Sequence, residues 1–75
     1  MLVSEVEALI VSVIPGAEVH AQIDGSHVHV SVVSEAFAGL SAVRRQQLVY
    51  SGLQQAIASG AIHAVHIKAL CPGES

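Results

Sequence analysis

Two alternating runs separated by three turn-forming residues constrain this chain most: AEVHAQI at 17–23, DGS at 24–26 and HVHVSVV at 27–33. Successive side chains of a strand point to opposite faces. Ala17, Val19, Ala21 and Ile23 therefore share one side of the first run, and Glu18, His20 and Gln22 the other. In the second run Val28, Val30 and Val32 form the inward set. DGS is a tight hairpin signal: either Asp24-Gly25 makes a type I′ loop or Gly25-Ser26 a type II′ loop. Both registers bring the two apolar faces together.

The flanking segments supply helices to cover that apolar face. Val6, Leu9, Ile10, Val13 and Ile14 recur at spacings of three and four, with Ser4 and Glu7 as a capping box and Pro15-Gly16 as the stop. After the hairpin, SEAFAGLS reads as a short helical turn holding Phe37 and broken at Gly39. Ser41 caps a long helix to about Ser59, with Val49, Leu53, Ala56 and Ile57 on its apolar side and Gly60 as its end. IHAVHIKAL, 62–70, is the last strand, closed by Pro72-Gly73. The order is α-β-β-α-α-β, an α+β fold with a three-stranded mixed sheet covered on one face by helices. Residues 34–61 are long enough for a right-handed crossover, which makes the last strand parallel to the second. His63 then lies near Asp24 to His27, at the hairpin end of the sheet.

Seventy-five residues make one domain, 1–75, with a thin core and little room for an enclosed active site. No nucleophile and base pair is visible, so an enzyme is not expected. The net charge is −3, and Arg44, Arg45 and Lys68 are the only cations, which argues against the broad basic patch of a duplex-binding domain. Arg44 and Arg45 stand in the first turns of the long helix, against its dipole, and with Lys68 are the candidate contacts for an anionic or acidic partner. One cysteine, Cys71, excludes an internal disulfide, and no apolar run approaches the roughly 20 residues of a membrane span. A cytoplasmic protein is the expectation.

Chemistry falls to the histidines. In IHAVHIKAL, Val65, Ile67 and Ala69 form the apolar side and His63 shares their parity, at the mouth of the strand. His66 falls with Ala64 and Lys68 on the outer face; with His20 and His29 it reads as a wet sheet surface rather than a metal site, since no cross-strand spacing is fixed. His27 is at the same end as His63, and two neutral imidazoles from neighbouring segments make an open metal site. Parity sends His27 outward if it is already in the strand, so the pairing requires it to belong to the loop. Two histidines cannot complete a tetrahedral site, and the remaining ligands must come from a partner.

IPGAEV, DGSH, VVSEAFAGLS, VRRQQLVYSGL and GAIHAVHIKALCPGE, in this order and spacing from Ile14 to Glu74, resemble the BolA-like family. DGSH and QQLVY are most similar to its branch of small bacterial proteins called IbaG or YrbA. The resemblance implies a class II KH-like fold and a monothiol glutaredoxin as partner, in a heterodimer bridged by a 2Fe-2S cluster. The glutaredoxin cysteine and a glutathione thiol hold one side of that cluster. On this side His63, in the IHA segment, and His27, in DGSH, match the ligand positions. Such a protein serves iron–sulfur trafficking, maturation or sensing, within iron homeostasis and stress response. A homodimer is the other assembly the reading allows. Many members carry Arg-His-Arg before the VY pair where this chain has Arg45, Gln46 and Gln47; Val28 replaces a usual Phe, and Cys71 a usual Thr. The alternative function is a nucleic-acid-binding transcriptional regulator, opposed by the acidic balance and the missing GxxG clamp of KH domains.

Overall fold

The computed structural model describes residues 2–74. Its elements are α1 (Val3–Val13), β1 (Glu18–Asp24), β2 (His27–Val33), a 3-10 turn (Glu35–Phe37), α2 (Ala42–Ala58) and β3 (Ala64–Leu70). With the 3-10 turn standing for the short helix, this is the expected α-β-β-α-α-β order. The sheet order is β1-β2-β3, with β1 antiparallel and β3 parallel to the central β2.

Asp24 pairs with His27, so the hairpin loop is Gly25-Ser26. Gly25 has φ +62°, and among the described residues no residue other than glycine has a positive φ. That is the type II′ requirement, a positive φ at the first loop position only; a type I′ loop would have put Asp24 there as well. Val28, Val30 and Val32 of β2 are buried, and the alternate residues of β1 and β3 pack beside them.

Helix α1 begins earlier than its Ser4–Glu7 signal. Leu2 is the cap residue, and its backbone N–H donates to Glu5 Oε1 at 2.8 Å. Glu5 thus provides the carboxylate half of a capping box at the positive end of the helix dipole, without a hydroxyl partner. The earlier start leaves the apolar stripe unchanged: Val6, Ile10 and Ile14 are buried, with Leu9 and Val13 packed against them. Helix α2 starts where expected, with Ser41 Oγ accepting from Arg44 N at 3.2 Å. It buries Val49, Leu53 and Ala56. The two helices approach each other closely at Gly52. A Cβ there would lie 2.8 Å from the carbonyl oxygen of Leu9 and 3.0 Å from Val13 Cγ2, so only glycine allows this contact.

Where β2 and β3 end, Ser34 N donates to Leu70 O at 3.0 Å, and Ser34 Oγ accepts from Ala36 N at 3.1 Å. This hydroxyl starts the 3-10 turn and points Phe37 into the core, where it is fully buried. At the other end the chain enters β3 two residues later than the Ile62 start that its sequence suggests. Ile62 N donates to Ala56 O at 3.2 Å, and the Ile62 side chain is buried under the helices.

Candidate metal-ligand site at the hairpin end

The parallel register pairs His27 with Ala64, which brings the residue before β3 beside the hairpin loop. His63 N donates to Ser26 O at 3.0 Å, and Ala64 N reaches the same oxygen at 3.5 Å. The expected proximity of His63 to the Asp24–His27 segment is therefore present, and it is a backbone anchor. The expected core-side placement of His63 is not. Strand parity applies from Ala64 onward; the core position at the strand mouth is taken by Ile62, and His63 is exposed. Its Nε2 lies 3.9 Å from where a Cβ on Gly60 would stand, an ordinary van der Waals distance; glycine is favoured there by its φ of +83°.

His27 is the first residue of β2 rather than part of the loop, so the condition that parity set for its pairing with His63 is not met. Its ring lies with the outer row, its centroid 6.5 Å from that of His66. His66 is exposed, as expected, and its ring stacks on that of His29 at 4.5 Å with 9° between the planes. His20, farther along the same face, has its Nε2 3.4 Å from Glu18 Oε1, with both side chains exposed. Four imidazoles thus share the outer face, and the fifth, His63, stands at its end. Among the described residues no group of three or more His, Cys, Asp or Glu is placed to hold a metal ion alone.

The three cations do not gather. Arg44 is exposed on α2, and Lys68 is exposed on the outer sheet face opposite Ser31. Arg45 departs from its expected contact role. Its side chain is only 17% exposed. Nε donates to Leu40 O at 3.1 Å, Nη1 to Glu74 Oε1 at 2.7 Å, and Nη2 to Glu74 Oε2 at 3.4 Å. A longer bond runs from Nη1 to Ala69 O at 3.4 Å. Glu74 Oε1 also accepts from Cys71 N at 2.8 Å. The bond from Arg45, and then that from the Cys71 amide, hold the Glu74 carboxyl below the ordinary range, while the carboxylate raises the Arg45 guanidinium. This bidentate pair joins the start of α2 to the chain after β3. It is a structural clamp.

The family model for BolA-like protein matches residues 4–74. The chain belongs to the BolA-like family. It is 44% identical over 71 residues to the acid stress protein IbaG of Escherichia coli strain K12, covering 95% of this chain and 84% of that protein. Among solved structures, BolA1 from Arabidopsis thaliana matches with a TM-score of 0.84 at 28% identity, covering 97% of this chain and 94% of that one. The BolA domain of SufE1 from Arabidopsis thaliana matches with a TM-score of 0.83 at 27% identity, again over 97% and 94%. The α+β architecture is therefore that of BolA-like structures. Among the described residues of this BolA-like chain, no helix is long and apolar enough to cross a membrane.

Two features of the BolA-like chain escape a reading of its sequence. The Arg45–Glu74 pair joins residues 29 positions apart and depends on how α2 docks. The His29–His66 stack depends on the β2–β3 register, which alternation alone leaves unspecified.

Proposed function

We propose that this BolA-like protein is a non-enzymatic partner of a monothiol glutaredoxin and shares a bridging 2Fe-2S cluster with it. His63 is its first ligand and His27 its second. The observation that carries this reading is the state of His63: an exposed imidazole on a backbone fixed to Ser26 O, at the open end of the sheet. A ligand for a shared cluster needs that combination, a fixed base and a nitrogen that a second protein can approach. His27 adjoins the same loop, one register step from the anchor; its exposed ring lies with the outer row, so sharing one iron with His63 requires it to turn about its side-chain bonds toward the loop. Two imidazoles on one iron suit a 2Fe-2S cluster, and they raise its potential above that of an all-thiolate site. The remaining ligands come from the glutaredoxin cysteine and glutathione. Imidazole is also a ligand that acid removes by protonation. That fits a role in sensing or cluster transfer, and fits the naming of the Escherichia coli relative for acid stress.

The nucleic-acid reading draws on Arg44, Arg45 and Lys68. It is weakened because Arg45 is tied to Glu74, while the other two cations stand on different elements.

Co-expression with a cognate monothiol glutaredoxin and glutathione should yield a coloured heterodimer. His63→Ala should abolish its visible spectrum or leave it to bleach rapidly, with His27→Ala giving the smaller loss. A His63→Ala heterodimer with wild-type spectrum and cluster lifetime would overturn the assignment.

A further inference from the structure

The outer face of the sheet carries a feature that the glutaredoxin reading does not use. His29 of β2 and His66 of β3 are direct register partners, their rings 4.5 Å apart and nearly parallel. Their neighbours on that face are Gln22, opposite His29, Ser31 and Lys68 in the row on one side, and His27 on the other, its ring centroid 6.5 Å from that of His66. Among the described residues the ring hydrogen bond of a histidine is that of His20 to Glu18, so both nitrogens of His29 and of His66 are open to a ligand. Both residues are exposed, so turning the rings about their side-chain bonds meets little resistance.

We infer that His29 and His66 form a two-imidazole chelate for a late first-row divalent transition-metal ion, with Cu(II) bound most tightly. Metal–nitrogen bonds of about 2.0–2.1 Å put two cis nitrogens about 2.9 Å apart in the tetragonal geometry that Cu(II) prefers. Rings whose centres are 4.5 Å apart reach that separation by tilting their donor edges toward each other, with no change in the backbone. The sheet supplies the preorganisation, since adjacent strands keep the two Cα atoms in register whether or not an ion is present. Imidazole selects copper, nickel and zinc over the hard ions that prefer oxygen, and the general stability order of divalent ions places copper highest. The other coordination positions are left to water or to an external ligand. His63 has no part in the chelate, because it lies outside β3 and away from this row.

The test uses the untagged full chain in a buffer free of thiols and chelators, titrated with Cu(II) chloride and read by calorimetry and electron paramagnetic resonance. One Cu(II) per chain is expected, with nitrogen couplings from two imidazoles. His29→Ala and His66→Ala should each weaken binding at least about tenfold, since loss of a supporting outer-shell contact alone can cost that much. Circular dichroism should be unchanged in both, and His66→Gln should weaken binding equally in case the alanine variant misfolds. Wild-type affinity in either His29→Ala or His66→Ala overturns the proposal. So does loss of binding in His63→Ala alone or His27→Ala alone, which would move the ion to the hairpin end. A preference for Mg(II) over Cu(II) would also overturn it.

Discussion

The two ends of the β2–β3 pair treat their polar groups in opposite ways. Where the strands finish, Ser34, Arg45, Glu74 and the Cys71 amide are bonded to one another or to backbone, and Phe37 fills the space beneath. At the hairpin end the backbone of His63 is anchored on Ser26 O, yet the rings of His27, His63 and His66 all face solvent. Buried or half-buried polar groups must be satisfied internally, because each unmatched one costs about 1–3 kcal/mol. Exposed imidazoles carry no such penalty and add little to stability. One end therefore holds the fold together, while the other can take ligands without weakening it.

The largest test of that contrast is Phe37→Ala at the tied end. Removing a fully buried phenylalanine costs about 3–5 kcal/mol. A chain of this length has about 4–11 kcal/mol in all, at roughly 0.05–0.15 kcal/mol per residue. The variant should therefore lose about a quarter or more of its resistance to urea, and at the lower stability it should be largely unfolded. A urea midpoint within experimental error of wild type would show that the 3-10 turn does not close the core.

Much of this contrast is legible in the residues, and the exceptions have physical causes. Alternation in AEVHAQI and HVHVSVV assigns the faces of β1 and β2 correctly, because all of both runs except Ala17 lies within the strands. It fails for His63, because parity was carried past the point where the strand begins, and Ile62 takes the core position. The hairpin register was ambiguous by hydrophobicity, since both loops align the apolar faces. Backbone sterics decide it: the observed loop needs a positive φ only at Gly25, which costs glycine nothing. Either loop leaves His27 in the strand; the observed one makes it the first residue of β2. The cations misled for a different reason. A guanidinium in the first turns of a helix reads as an exposed contact until a carboxylate 29 residues away is folded against it.

The clamp should reveal itself through acid. The folded-state Glu74 carboxyl is depressed, chiefly by its bond to Arg45. A depressed acid contributes stability that is fully present above its unfolded value and is lost as pH falls through its folded value. Wild type should therefore exceed Glu74→Gln in urea midpoint at pH 7, and the gap should shrink below the usual carboxylate range near 4.5. Glutamine keeps an oxygen for the Cys71 amide, so this comparison isolates the charge. A gap unchanged between pH 7 and pH 3 would mean that the Arg45 pairing is not what separates the two proteins.

The smallest expected effect bears most directly on the open end. His27→Ala, His63→Ala and His66→Ala remove exposed rings that have no hydrogen-bond partner among the described residues. Surface substitutions of this kind change stability by no more than about 0.5 kcal/mol. The three urea midpoints should therefore stay close to wild type in the isolated protein. A clear loss in His63→Ala would give that ring a structural duty and would break the contrast between the two ends, because any loss of cluster could then follow from damage to the strand mouth. With the midpoints unchanged, a colourless heterodimer isolates the missing imidazole as the cause.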